Sequence, residues 1–179
     1  MQKRLLKILT GCALACLSVS CVNDTPSNQE TYKKWREYNE AWLIEQTNRT
    51  NPDGTPYYKR CTMPSDPMAY VLMHTIGEVH TENLKPLFSS TTKVNYTLRL
   101  ANDSIMDQNS GYVTQLSSKG FITGWSLAIM QLHVGDSAQF VLPYNVAYGE
   151  SGNGFGVDPY SNLMFNIKLV DIEGYEVLP

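Results

Sequence analysis

Residues 94–100 alternate strictly: Val94, Tyr96, Leu98 and Leu100 are apolar, and Asn95, Thr97 and Arg99 between them are polar. A period of two sends alternate side chains to opposite faces, so the segment predicts a strand with its apolar set turned inward. The same period recurs at Ala138, Phe140 and Leu142, and at Leu163, Phe165, Ile167 and Leu169. Residues 70–76 predict a first strand and 112–115 a short one. At 125–132 the period changes, with Trp125, Ala128, Ile129 and Leu132 falling on one helical face. Residues 32–47 predict a second helix: Tyr32, Trp35, Tyr38 and Trp42 make a stripe, with Lys33, Lys34, Arg36, Glu37 and Glu40 mostly between them. That stripe needs a cover. Its own domain is the expected one, ahead of a dimer seam, because the helix has only about four turns. Residues 48–67, rich in proline and anchored by Tyr57 and Tyr58, read as loop, and 144–160, rich in glycine, as flexible loop. Several strands and one short core helix predict an α+β fold, a mostly antiparallel sheet with the helix packed on it.

Composition narrows the function. A hydrophobic fraction of 42% over 179 residues supports a packed core rather than disorder. Formal net charge is −3 and the pI about 5.6, against a phosphate-binding surface and hence against nucleic acid. No CxxC, HExxH or phosphate-loop motif occurs. His74, His80 and His133 are scattered and lack carboxylates at ligand spacing, so no metal or other cofactor is expected. Gly149, Gly152, Gly154 and Gly156 have no following lysine that would make a phosphate cradle.

Residues 1–21 carry Lys3, Arg4 and Lys7 ahead of a mostly apolar stretch too short to span a bilayer. Small residues and cysteines follow, and this resembles a bacterial lipoprotein signal peptide. Cys12, Cys16 and Cys21 compete as the lipidated residue. Cys21 is preferred, because it leaves a full-length apolar region before it and a polar run after it. The expected organisation is a signal peptide over 1–20, a lipidated tether over 21–31, a helix-and-loop extension over 32–68 and the main domain over 69–179. Cys61 is then the one cysteine left besides the lipidated one, so no internal disulfide is expected. The expected location is the cell envelope, the protein being anchored to a bacterial membrane on its periplasmic or surface side.

Three segments carry a resemblance: Val94-Asn95-Tyr96-Thr97 followed by Met106-Asp107; Phe121-Ile122-Thr123-Gly124-Trp125; and Val134-Gly135-Asp136 leading to Ala147-Tyr148-Gly149 and Leu163-Met164-Phe165. In this order and spacing they resemble the FKBP-type peptidyl-prolyl cis-trans isomerases, over roughly residues 70–173. The resemblance implies a half-open, barrel-like sheet wrapped around one short helix, here with an N-terminal helical extension. It implies a pocket built from Tyr96, Asp107, Ile122, Trp125, Tyr148 and Phe165. Trp125 would be its floor, the Ile122 N–H and the Tyr148 hydroxyl its donors, and Asp107 a rim residue bonded to Tyr96. Met106, Tyr112, Phe121, Phe155 and Val157 are the implied wall, and they include this chain's departures from the family pattern. Proline-containing polypeptides are the implied partners, together with macrolide inhibitors of the rapamycin type. Rotating an X–Pro amide needs no nucleophile, base or metal, which suits a chain without a hydrolytic triad. The alternative is an anchored binding or chaperone module of the same fold with weak catalysis.

Overall fold

The computed structural model describes residues 27–63 and 65–174. The expected signal peptide, Cys12, Cys16, Cys21 and most of the tether lie outside these residues. Six strands form one antiparallel sheet: β1 (Lys59–Met63), β2 (Asp66–Ile76), β3 (Thr91–Leu100), β4 (Ile105–Gln115), β5 (Ser137–Leu142) and β6 (Leu163–Gly174). Their order is β1-β2-β5-β6-β3-β4. Before the sheet come α1 (Asn28–Thr31) and α2 (Lys33–Asn48); α3 (Thr123–Ile129) joins β4 to β5, and a 3-10 turn, Tyr144–Val146, follows β5.

The alternating positions make the core. Ala138, Phe140 and Leu142 of β5, Leu163, Phe165, Ile167 and Leu169 of β6, and Val94, Leu98 and Leu100 of β3 are buried, and Tyr96 is half-buried against them. On this inner face lies α3, with every residue from Gly124 to Ile129 buried. A Cβ on Gly124 would come within 2.8 Å of the Leu142 side chain, so glycine sets how closely α3 approaches β5. The helix stops at Ile129, short of the expected 132. The Gln131 and Leu132 N–H groups bond to Ala128 and Ile129 in the tighter i−3 pattern, which delivers Leu132 to the core as the chain turns.

Leu72 and Val141 point to the opposite face yet are buried, in a second cluster with Tyr58. Trp42 and Leu43 of α2 pack against that cluster, which explains why both faces of β2 are apolar over residues 70–73. Two expectations are corrected here. Residues 48–67 are not all loop, because β1 pairs with β2 (Cys61 opposite Val71) and β2 begins at Asp66. The short strand at 112–115 is the end of an eleven-residue β4. Both are sheet-edge strands with one solvated side, so much of their sequence is polar and carries no clear period.

Asp136 pins the turn after α3. Its carboxylate is 2% exposed and accepts the backbone N–H groups of His80 (2.7 Å) and His133 (2.9 Å). The Nδ1 atoms of the same histidines lie 3.0 and 3.2 Å away. Burial alone would raise the carboxyl pKa; the four hydrogen bonds outweigh it and lower it from 3.8 to about 2. A lowered folded-state pKa contributes stability that is fully present above the unfolded value and is lost as pH falls through the folded one. This contribution, roughly 2 kcal/mol, should therefore disappear between pH ~4 and ~2. Urea melts across that range should show an Asp136→Asn variant flatter with pH than the parent; parallel curves would contradict the assignment.

Candidate active site

The site is built where β3, β4, β6 and the start of α3 converge. Tyr96 opposes Asn109 on β4, and Val94 opposes Tyr112. Two residues of β3 thus match three of β4, a bulge that carries Gly111 at φ +77°. The Asn95 Oδ1 holds the bulge by accepting the Gly111 N–H at 2.7 Å and the Ser110 hydroxyl at 3.2 Å. The extra residue turns Tyr112 onto the same face as Tyr96, with ring centroids 5.6 Å apart. Asp107 opposes Leu98 and so shares that face, diagonal to Tyr96.

Trp125, 4% exposed, is the centre of the aromatic group. Around it stand Tyr96 at 5.2 Å and 79°, Phe165 at 5.3 Å and 59°, Tyr112 at 6.4 Å and 70°, and Phe121 stacked at 6.4 Å and 22°. Edge-to-face and tilted rings are the arrangement that aromatic quadrupoles favour. The Trp125 indole N–H is buried and has no hydrogen-bond partner among the described residues. The rings enclose a cavity of about 190 Å³, lined by Tyr96, Leu98, Asp107, Tyr112, Gly120, Phe121, Ile122, Trp125, Tyr148 and Phe165. All six residues implied as the core of the pocket are therefore brought together.

Polar groups are few and placed at the edge. The Tyr96 hydroxyl donates to the Asp107 Oδ2 at 2.6 Å. Burial, then the bond to Asp107, pushes the Tyr96 phenol well above its usual pKa of 10, so it stays a neutral donor. Ile122 is the N-cap of α3 at φ −66°, ψ 143°, with no capping side chain. The Trp125 N–H turns back onto the Ile122 carbonyl at 3.0 Å, and the N–H groups ahead of it at the helix start have no i−4 carbonyl within the helix, so this end can offer a donor to a bound carbonyl. Tyr148 reaches the cavity from the segment after the 3-10 turn.

The implied wall is only partly assembled. Tyr112 and Phe121 line the cavity, but Phe155 is 91% exposed and Val157, 3% exposed, packs into the core instead. The Asn153 side chain explains both: its Oδ1 accepts the Phe155 and Val157 N–H groups at 2.8 and 3.0 Å, closing a tight turn that throws Phe155 outward. Met106 does not line the cavity; it packs on the core, and its Cε would lie 2.8 Å from a Cβ added at Gly156. The glycine-rich loop takes a tightly bonded conformation. Gly152 sits at φ +67° with no room for a side chain, and the Tyr160 N–H closes back onto the Gly149 carbonyl at 2.9 Å. Leu98 and Gly120 line the cavity and were not anticipated as site residues. Alternation had marked Leu98 only as inward, and nothing in the sequence marks Gly120.

A more open groove of about 470 Å³ lies along β3, β4 and β6, lined largely by Asn95, Thr97, Gln108, Asn109 and Asn166. It lacks a converging aromatic wall, so the smaller cavity is the candidate site. Among the described residues no group of three or more His, Cys, Asp or Glu is placed to hold a metal ion.

Comparison with known proteins agrees with this geometry. The sequence model of the FKBP-type peptidyl-prolyl cis-trans isomerases matches residues 84–170. The chain is 26% identical over 171 residues to a macrophage infectivity potentiator of Trypanosoma cruzi, covering 90% of this chain and 81% of that one. It is 32% identical over 91 residues to FK506-binding protein 1A of Emericella nidulans, covering 49% of this chain and 84% of the relative. It spans less than half the length of relatives from Escherichia coli and Haemophilus influenzae, 45% and 36%. The crystal structure of a peptidyl-prolyl cis-trans isomerase from Pseudomonas syringae superposes with a TM-score of 0.65 at 23% identity, covering 80% of this chain and 96% of that one. The aromatic cavity, the antiparallel sheet around one short helix and these matches lead to one statement: the chain belongs to the family of FKBP-type peptidyl-prolyl cis-trans isomerases.

Proposed function

We propose that the cavity takes the proline ring of a polypeptide and catalyses rotation of the preceding X–Pro bond. The observation that carries this reading is the set of four rings around Trp125, with one carboxylate, itself bonded to Tyr96, at the rim. Rotation about the amide is opposed by a barrier of ~18–20 kcal/mol, because the planar form has partial double-bond character. A barrier of ~20 kcal/mol corresponds to about 0.01 per second, the slow spontaneous rate. The planar amide is more dipolar than the twisted one, so water stabilises the ground state more. Moving it onto Trp125 removes that preference, and fixed donors at Ile122 and Tyr148 then favour the twisted carbonyl. Each ~1.4 kcal/mol gained in this way gives a tenfold rate.

The roles are unequal, and that supplies the test. Tyr148→Phe removes one hydrogen bond worth ~0.5–1.5 kcal/mol and should cost about tenfold or less in kcat/KM, with the fold intact. Asp107→Asn should keep substantial activity, and activity should show no bell-shaped profile between pH 6 and 8, because no proton is exchanged with substrate. A loss in Asp107→Asn of more than about a thousandfold, or a steep single-group pH dependence, would make Asp107 a general base and end the twisted-amide account.

The proposed setting is the bacterial cell envelope, with Cys21 lipidated and proline-containing envelope polypeptides as substrates. Among the described residues no helix is long and apolar enough to cross a membrane. The support for anchoring is the signal-like residues 1–20 and the polar tether after them. Metabolic labelling with a fatty-acid analogue should be lost in Cys21→Ser. Labelling lost instead in Cys16→Ser or Cys12→Ser would move the anchor.

A further inference from the structure

We infer that Trp35 and Asn39 of α2 are positioning residues for the isomerase reaction, acting on Tyr148 through the segment 143–162. This rests on the function proposed above, but α2 lies outside the matched family region, which begins at residue 84.

The most deeply buried residue of α2 is polar. Asn39 is fully buried, at 0% exposure, a position where a helix meant only to cover a sheet would carry an apolar side chain. Its Oδ1 accepts the Asn162 backbone N–H at 2.8 Å, its backbone carbonyl accepts the Asn162 Nδ2 at 2.6 Å, and its own Nδ2 donates to the Trp35 carbonyl at 3.0 Å. Asn162 is equally buried, and its Oδ1 accepts the Tyr144 N–H at 2.9 Å. One turn earlier, the Trp35 indole N–H donates to the Ser161 hydroxyl oxygen at 2.9 Å, and that hydroxyl donates to the Asp158 carbonyl at 2.7 Å. The Arg36 guanidinium lies 4.9 Å over the Tyr160 ring.

These bonds converge on the neighbour of Tyr148. The Gly149 N–H donates to the Tyr144 carbonyl at 2.8 Å, and the Gly149 carbonyl accepts the Tyr160 N–H at 2.9 Å. Tyr144 is held through Asn162 to Asn39, and Tyr160 sits beneath Arg36 and beside Ser161. Both fixed points of Gly149 are thus tied to α2, and Tyr148 is bonded to Gly149 in the chain. Trp42 and Leu43 pack on the cluster of Tyr58, Leu72 and Val141, and the Trp35 ring packs on the main core. Beyond α2 itself, the polar bonds of the Trp35 indole and of Asn39 go to Ser161 and Asn162.

The test is a double-mutant cycle on the full chain, with kcat and KM measured well below the melting midpoint. Asn39→Ala should lower kcat about fivefold and Trp35→Phe, which keeps an aromatic ring but loses the N–H bonded to Ser161, about threefold, with KM little changed. In a Tyr148→Phe background each should cost less than about twofold, since the hydroxyl they place is already gone. Amide exchange at Gly149 should quicken in both. Unchanged kcat with only a lowered Tm, or losses that multiply fully with Tyr148→Phe, would overturn the inference. Trp35→Phe decides alone if Asn39→Ala does not fold. An inactive unsubstituted chain would overturn the proposed function instead, and exchange at Gly149 would then decide by itself whether α2 holds the Tyr148 segment.

Discussion

Replacing Trp125 with leucine should leave a folded protein that has lost at least about a hundredfold in kcat/KM. The indole is buried, its ring faced by Tyr96, Phe165, Tyr112 and Phe121 at 5.2 to 6.4 Å. Leucine keeps apolar bulk at this position, so most of the burial energy survives. It cannot supply the flat, rigid floor against which a proline ring is held while its amide twists. A loss of ~2.7 kcal/mol in transition-state binding is the hundredfold expected. Trp125→Ala should lose activity too, but it also opens a cavity costing ~3–5 kcal/mol of stability, so its inactivity would prove less. A folded Trp125→Leu protein with normal activity would mean that isomerisation happens elsewhere on the molecule.

Gly152→Ala should destabilise the protein by about 2–4 kcal/mol and impair catalysis as well. Gly152 has φ +67°, and an added Cβ would press on the Val157 carbonyl oxygen and come within 2.9 Å of Asp158 C and Pro159 N. These are backbone atoms, so no side-chain rotation relieves the contact. The loop must open, giving up the Asn153 bonds to Phe155 and Val157 and drawing Val157 from the core. Gly154→Ala is the matched control. Its φ is +70°, but nothing lies within 4 Å of its Cβ, so it carries the left-handed penalty alone, ~1–2 kcal/mol. Urea midpoints of the two variants measure the difference; equal shifts would show that the loop is looser than these contacts imply.

What the sequence made legible follows from periodicity. Strands β3, β5 and β6 each bury one face, so alternation alone places Tyr96 and Phe165 inward. The family spacing then made a pocket of residues that burial alone would have called core. Strand β1 and most of β4 were hidden, because an edge strand can satisfy its solvated side with almost any polar residue. The bulge at Gly111, which turns Tyr112 toward the site, is a matter of register, and register depends on two strands at once. Phe155 was misplaced for a related reason. The bonds of the Phe155 and Val157 N–H groups to Asn153 turn Phe155 to solvent, away from the wall position that the family resemblance implies. The glycines of that loop looked like freedom, yet at Gly152 the missing Cβ is what lets the loop close tightly. The aromatic stripe of α2 was legible as a face needing cover; the grip of Asn39 on Asn162 was not, since a lone asparagine in a helix has no pattern.

The central claim is catalysis of X–Pro rotation, and a protease-coupled assay on an Ala-Pro-Phe-type peptide measures it directly. The account predicts a cis-to-trans rate that rises in proportion to protein concentration above the spontaneous rate of about 0.01 per second, and that stays level between pH 6 and 8. A rate no faster than buffer, from protein shown to be folded, would contradict it.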